Sequence, residues 1–108
     1  MTMDLFTALK GYRNWLERNA LAPNAQVLWF HILMVANEAF WPEHISIRNS
    51  VLMTRTNIQS EKTLQRNRDV LVNKGLIKYH SGGKRQAGIY ELIPFPTVPT
   101  TEGGQLTN

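Results

Sequence analysis

The stretch that decides the fold runs from residue 60 to residue 77 and is SEKTLQRNRDVLVNKGLI. On a helical wheel its apolar positions and its charged or amide positions separate onto two opposite sides. The first side holds Leu64, Leu71 and Gly75, and the second holds Lys62, Arg66, Asp69 and Asn73. Ser60 is a favourable N-cap, and Gly75 suits the left-handed residue that ends many helices. The pattern predicts an amphipathic helix whose polar face carries cations.

A β-hairpin is predicted directly after this helix. Residues 76–80 and 88–93 alternate apolar and polar side chains, a pattern typical of strands. The connection between them, SGGKRQAG, is rich in glycine and carries Lys84 and Arg85 near its tip. A cationic helix followed by a cationic hairpin favours a polyanionic partner.

The N-terminal region predicts a helix over residues 2–19. Its apolar stripe at helical spacing consists of Leu5, Leu9, Tyr12 and Leu16. Phe6 and Trp15 lie off this stripe, so the helix has more apolar surface than one contact with its own core requires. It can pack on its own domain or on a second copy, and we expect a homo-oligomer formed through this helix.

The next segment predicts a buried central helix over residues 25–40, with Asn24 as its N-cap. Its side chains are apolar around nearly the whole circumference, which is typical of a helix covered by neighbours on every side. His31 within it is interpreted as a core histidine. Residues 45–47 then predict a short strand, and residues 48–55 predict a short helix before the turn that leads to Ser60.

Charge is distributed unevenly over the 108 residues, which are enough for one domain. Residues 1–54 contain four basic and four acidic side chains, whereas residues 55–108 contain eight basic and four acidic ones, which gives the net charge of +4. The excess of positive charge in the second half favours a polyanion as partner. The chain has no cysteine, which excludes disulfides and thiolate zinc sites and fits a reducing cytoplasm.

The order of the predicted elements is that of a winged helix-turn-helix domain. The predicted fold class is therefore α+β and mostly helical, with an extra N-terminal helix and a C-terminal β-hairpin wing. Residues 1–94 form this domain, and the proline- and glycine-rich residues 95–108 form a flexible linker or tail. Domains with this layout bind DNA or contact proteins, and the placement of charge favours double-stranded DNA.

The candidate DNA-binding residues lie on the predicted recognition helix and on the wing. The helix contributes Gln59, Ser60, Lys62, Thr63 and Arg66, and the wing contributes Lys84 and Arg85. Gln and Arg can bind base edges with two hydrogen bonds, whereas Ser and Thr can bind phosphates or bases. For Ser60 the capping role is favoured over base contact. Lys84 and Arg85 are expected to reach phosphates or the minor groove.

Nothing in the sequence predicts catalysis, a cofactor or a metal site. The three histidines lack the spacing of metal ligands, and the carboxylates are scattered away from any candidate nucleophile. The N-terminus has no signal-peptide pattern, and the most apolar run, residues 25–36, is too short to cross a membrane. We therefore expect a non-enzymatic cytoplasmic protein.

Residues 1–95 resemble the N-terminal winged-helix domain of phage replication initiators and DnaD-type primosomal proteins. The resemblance rests on AQVLWFHILMVA at 25–36, on ISI at 45–47, and on the run from Ser60 to Ile77. It implies DNA binding at an origin, self-association through the N-terminal region, and contact with replication proteins through a C-terminal domain that is absent here. A transcriptional regulator and a protein-interaction module with the same fold remain alternatives.

Overall fold

Four helices and three strands form in the part of the chain that the computed structural model describes, residues 3–83 and 86–96. The elements in order are α1 (Leu5–Leu16), α2 (Pro23–Glu38), β1 (Ile45–Ile47), α3 (Asn49–Thr56), α4 (Glu61–Asn73), β2 (Ile77–His80) and β3 (Gly88–Leu92). The prediction of a mostly helical α+β domain is confirmed.

Helix α1 is shorter than the predicted span of residues 2–19. It begins after Asp4, whose Oδ1 accepts a hydrogen bond of 2.8 Å from the Thr7 N–H, and it ends at Leu16. Its predicted apolar stripe is half-buried against the core of its own chain, and Ala8 is fully buried. The stripe is thus used mainly for intramolecular packing.

The predicted Asn24 cap of helix α2 is wrong. Ala22 occupies the N-cap position, and Pro23 stands in the first turn. Proline fits there because its φ is preset for a helix and its missing N–H would have had no helical acceptor. The helix ends at Glu38, before the predicted residue 40, because Phe40 (φ 63°) and Trp41 (φ 60°) both adopt left-handed backbone conformations.

The prediction that α2 is buried on all sides is also wrong. One side forms the centre of the core, with Ala25, Leu28, Trp29, Ile32, Leu33 and Ala36 buried. The other side leaves Val27 41% and Phe30 42% exposed. His31 is half-buried on this second side, with its ring edge-on to Phe30, so it is not a core histidine. Helix α2 contacts α1, α3 and α4, and these contacts leave Val27 and Phe30 partly exposed.

Helix α4 has the predicted beginning and end. The Ser60 Oγ accepts a hydrogen bond of 3.2 Å from the Thr63 N–H. At the other end Gly75 has a φ of 78°, its N–H bonds to the Val72 carbonyl at 3.0 Å, and the Leu76 N–H bonds to the Leu71 carbonyl at 3.0 Å. These two bonds form a Schellman motif, for which a left-handed glycine is favourable. The local signals of this segment therefore determine its boundaries.

The three strands form one antiparallel sheet in the order β1-β3-β2. Strand β3 is central, and its Tyr90 lies opposite Ile45 on one side and Tyr79 on the other. Strand β2 begins one residue later and β3 ends one residue earlier than predicted. Nevertheless the Ile93 N–H still donates a hydrogen bond of 3.1 Å to the Leu76 carbonyl, so the pairing extends just beyond the assigned strands.

An aromatic cluster joins the end of the described chain to α1 and α2. Tyr12 and Trp29 stack with ring centroids 4.1 Å apart, and Phe95 lies 6.1 Å from the Trp29 ring. A Cβ at Gly11 would stand 2.7 Å from the Phe95 Cβ, so glycine is needed for this close approach. Phe95 belongs by sequence to the predicted tail, yet it packs on the domain, while residues 97–108 lie outside the described residues.

Candidate nucleic-acid interface

The polar face of α4 is exposed, and its opposite face is buried. Leu64 and Leu71 are fully buried and attach the helix to the core. The residues of the polar face are all exposed, namely Gln59, Lys62, Arg66, Asp69 and Asn73. Because Lys62, Arg66, Asp69 and Asn73 recur every three or four residues along the helix, they form one continuous stripe, and Gln59 lies just before the helix begins.

Charge along this stripe changes sign from one end to the other. Lys62 and Arg66 lie one turn apart near the N-terminus, and Asp69 follows nearer the C-terminus. The helix dipole adds partial positive charge at the N-terminal end. The N-terminal half of the stripe is therefore the part that attracts an anion, and Asp69 makes the C-terminal half less favourable.

Ser60 and Thr63, the two hydroxyl residues at this end, are less accessible to an external partner than the long side chains beside them. The Ser60 hydroxyl caps α4, as its sequence position indicated. Thr63 is half-buried, and its carbonyl accepts a hydrogen bond of 2.9 Å from Asn67 Nδ2. Gln59, Lys62 and Arg66 are consequently the sequence-predicted residues whose exposed side chains are best placed for an external partner.

The hairpin connection and the start of α4 lie at the same end of the domain. Ile47 pairs with Gly88 at the hairpin end of the sheet, and α3 begins two residues later at Asn49. Asn49 Nδ2 in turn donates a hydrogen bond of 3.5 Å to Glu61, the first residue of α4. Lys84 and Arg85, the predicted wing residues, lie outside the described residues.

Arg68 is a residue whose importance the sequence did not suggest. It is only 6% exposed, and its Nη1 donates to the Asn49 Oδ1 at 3.1 Å and to the Tyr90 hydroxyl at 3.0 Å. Its guanidinium carbon lies 4.0 Å from the centre of the Tyr79 ring. One buried side chain thus joins α4 to the start of α3 and to both hairpin strands, and so fixes the orientation of the polar face.

The groups that accept hydrogen bonds from Arg68 are polar but carry no charge. Its hydrogen-bond acceptors in the described chain are an amide and a phenol, and its buried Nε has no acceptor there. Burial raises the pKa of Tyr90, and the charge of Arg68 together with its hydrogen bond opposes that rise. The sequence held one signal for this role, because Arg68 falls between Leu64 and Leu71 on the apolar stripe.

Residues 3–83 and 86–96 contain no group of three or more His, Asp or Glu side chains arranged to hold a metal ion. None of the helices in this part of the chain has the length and apolar character needed to cross a membrane.

Comparison with known proteins gives one likeness. No protein-family model matches the chain, and no curated protein matches it. A solved structure described as "Structure of Rep-DNA complex" is similar, with a TM-score of 0.55 and 19% sequence identity over 95% of this chain and 84% of that chain. The two chains share a fold. At this identity the likeness establishes the coarse arrangement of helices and sheet.

Proposed function

We propose that this chain is a winged helix-turn-helix domain that binds double-stranded DNA, with α4 as the recognition helix. The observation that carries the proposal is the exposed stripe of α4, where Lys62 and Arg66 project from a helix fixed by buried leucines and Gln59 is exposed just before the helix begins. A major groove admits an α-helix, and Gln and Arg are suited to bidentate contacts with adenine and guanine. The order of the elements agrees with this docking mode.

The distribution of charge supports entry of the N-terminal half of α4. Lys62 and Arg66 would lie near phosphates and base edges, whereas Asp69 would lie farther out, where the helix leaves the groove. In the same proposal Lys84 and Arg85 contact phosphates or the minor groove beside the helix, and Ser60 and Thr63 contribute through the cap and the first turn. Because Arg68 links α4 to the hairpin, helix and wing would approach DNA as one unit.

The biological role that we propose is sequence-specific origin recognition in phage or bacterial replication initiation. The fold shared with a Rep chain from a complex with DNA supports this role. In this proposal the protein is not an enzyme, acts in the cytoplasm, and reaches replication proteins through a further domain. A transcriptional regulator would use the same surface of α4, so the target sequence distinguishes the two roles.

The first test measures binding of the full chain to duplex DNA by fluorescence anisotropy at increasing salt. We expect the logarithm of the binding constant to fall linearly with the logarithm of salt, with a slope of about −0.9 for each neutralised phosphate. Absence of binding to any duplex at low salt would overturn the DNA proposal and favour a protein-interaction module.

The second test examines whether α4 recognises sequence. A preferred duplex is first selected from a random library, and Arg66→Ala is compared on this duplex and on random duplex. We expect a loss of about 1–3 kcal/mol on the preferred sequence and a much smaller loss on the random one. Lys74→Ala removes an exposed cation at the other end of α4 and is the matched control. An unchanged ratio of preferred to random binding in Arg66→Ala would exclude Arg66 as a sequence reader.

A further inference from the structure

The side chain of Tyr79, on strand β2, is held in place by three neighbours. The guanidinium carbon of Arg68 lies 4.0 Å from the centre of its ring. The ring also touches the backbone of Gly88, where an added Cβ would stand 2.5 Å from Tyr79 Cε1 and 3.0 Å from the hydroxyl oxygen. Tyr90, its partner in the sheet register, lies beside it with ring centroids 5.0 Å apart. These contacts restrict the ring to one orientation.

In this orientation the hydroxyl of Tyr79 points toward the hairpin connection. Tyr79 stands opposite Tyr90 in the sheet, but its hydroxyl lies against Gly88, which is two residues closer to the connection. Gly88 pairs with Ile47 at the end of the sheet where α3 begins, and the start of α4 lies at the same end. The hydroxyl therefore lies at the end of the domain that carries both parts of the proposed DNA-binding surface.

The hydroxyl of Tyr79 is available for an external partner. It makes no hydrogen bond within residues 3–83 and 86–96, and because Tyr79 is only half-buried, solvent reaches it. The hydroxyl of the neighbouring Tyr90 is different, since it is buried and accepts a hydrogen bond of 3.0 Å from Arg68 Nη1. Of these two adjacent phenols, one is used inside the domain and the other offers a fixed donor at its surface.

Arg68 gives the surroundings of this donor a positive charge. The guanidinium is 6% exposed, and the groups that accept its hydrogen bonds, the Asn49 amide and the Tyr90 phenol, are uncharged. Asn49 also contacts the exposed carboxylate of Glu61 at 3.5 Å, so the amide stands between that carboxylate and Arg68. A buried charge is screened less by salt than an exposed one. The site beside Arg68 therefore favours an anion that accepts a hydrogen bond from Tyr79.

We propose that the hydroxyl of Tyr79 donates a hydrogen bond to a phosphate of the DNA backbone, in the region between α4 and the wing. This inference rests on the proposed function and adds a contact residue to it. Tyrosine is one of the side chains that bind DNA phosphates, and such contacts set the position of a protein on the duplex without reading sequence. Arg68 and Gly88 are then positioning residues, because they fix the ring before DNA binds and so reduce the entropy lost on binding.

The test compares Tyr79→Phe with the native full chain by fluorescence anisotropy. The variant loses the hydroxyl and keeps the ring, so we expect binding to weaken about tenfold on preferred and random duplexes alike. The salt slope should stay the same, because no charge is removed. The urea midpoint should also stay the same, because the hydroxyl has no partner in the described chain. Tyr12→Phe is the matched control, since it deletes a phenol hydroxyl on α1 that bonds to Gln26 Oε1 at 2.9 Å, and it should leave duplex binding unchanged.

A second measurement identifies the group that Tyr79 contacts. Preferred duplexes are prepared in which one phosphate at a time is replaced by an uncharged methylphosphonate. At one position the native chain should lose affinity and Tyr79→Phe should lose much less, whereas Tyr12→Phe should follow the native chain at every position. Equal binding by Tyr79→Phe and the native chain would overturn this inference and leave the proposed function intact. Identical methylphosphonate profiles, or a loss confined to the preferred duplex, would overturn the phosphate contact. A native chain that binds no duplex would overturn both the inference and the proposed function.

Discussion

Replacement of Arg68 by methionine should lower the free energy of unfolding by about 2–3 kcal/mol. The change deletes two hydrogen bonds from a charged group, which contribute about 1.5–3 kcal/mol each, and a stacking contact with Tyr79 of about 0.5–2 kcal/mol. Part of this loss is offset, because the buried charge no longer has to be desolvated, a cost of several kcal/mol. Methionine retains most of the unbranched stem, so the cavity contribution is small.

A double-mutant cycle with Tyr90→Phe tests the reasoning more sharply. In Arg68→Met the Tyr90 hydroxyl stays buried without the Arg68 donor, and an unpaired buried polar group costs about 1–3 kcal/mol. Tyr90→Phe in the Arg68→Met background should therefore restore about 1 kcal/mol, whereas the same change in the native chain should destabilise it by about 1 kcal/mol.

Urea unfolding followed by tryptophan fluorescence measures these changes as shifts in midpoint at constant slope. Arg66→Met, two residues earlier on the exposed face, is the matched control and should stay within about 0.5 kcal/mol of the native chain. If the losses of stability in Arg68→Met and Tyr90→Phe are additive in the double variant, the two side chains are not coupled. If Arg68→Met is as stable as Arg66→Met, Arg68 does not stabilise the attachment of α4 to the sheet.

Three further predictions concern the sheet, the aromatic cluster and the wing. Burial raises the pKa of Tyr90 above its usual value, so the folded chain favours the protonated hydroxyl more strongly than the unfolded chain does. The stability that this preference contributes is present below a pH of about 10 and is lost as the pH rises through the folded pKa. Unfolding curves at alkaline pH should therefore show a smaller loss of stability in Tyr90→Phe than in the native chain. Gly11→Ala should destabilise the chain by about 1–3 kcal/mol, because the added Cβ would overlap Phe95 and this overlap outweighs the better helix propensity of alanine. Thermal unfolding should show that Phe95→Ala in the same chain relieves this destabilisation. Lys84→Ala and Arg85→Ala should weaken preferred and random duplexes alike and flatten the salt slope by about one each; a change in the ratio between the two duplexes would assign sequence recognition to the wing.

The segment from Ser60 to Gly75 was predictable because its determinants are local. The cap, the apolar period and the closing glycine all lie within one helix, and each gives the same boundaries. The exposed stripe with Lys62 and Arg66 was predictable for the same reason, since a helix with a buried face must expose the opposite one. By contrast the start of α2 was misassigned, because Pro23 and Asn24 are both favourable near a helix start and the sequence did not decide between their positions.

The parts that escaped prediction depend on contacts between distant segments. Arg68 on an apolar stripe predicts either a local break in packing or a buried polar partner, and only the fold brings Asn49 and Tyr90 to its guanidinium. Gly11 in mid-helix looks unfavourable until Phe95 is found against it. The groove lined by Met3, Ala36, Ile45 and Leu92 likewise combines the N-terminal segment, the end of α2 and two strands, none of which carries a recognisable pattern for it. A surface on one helix is therefore accessible to sequence reasoning, whereas the network that orients that surface requires the structure.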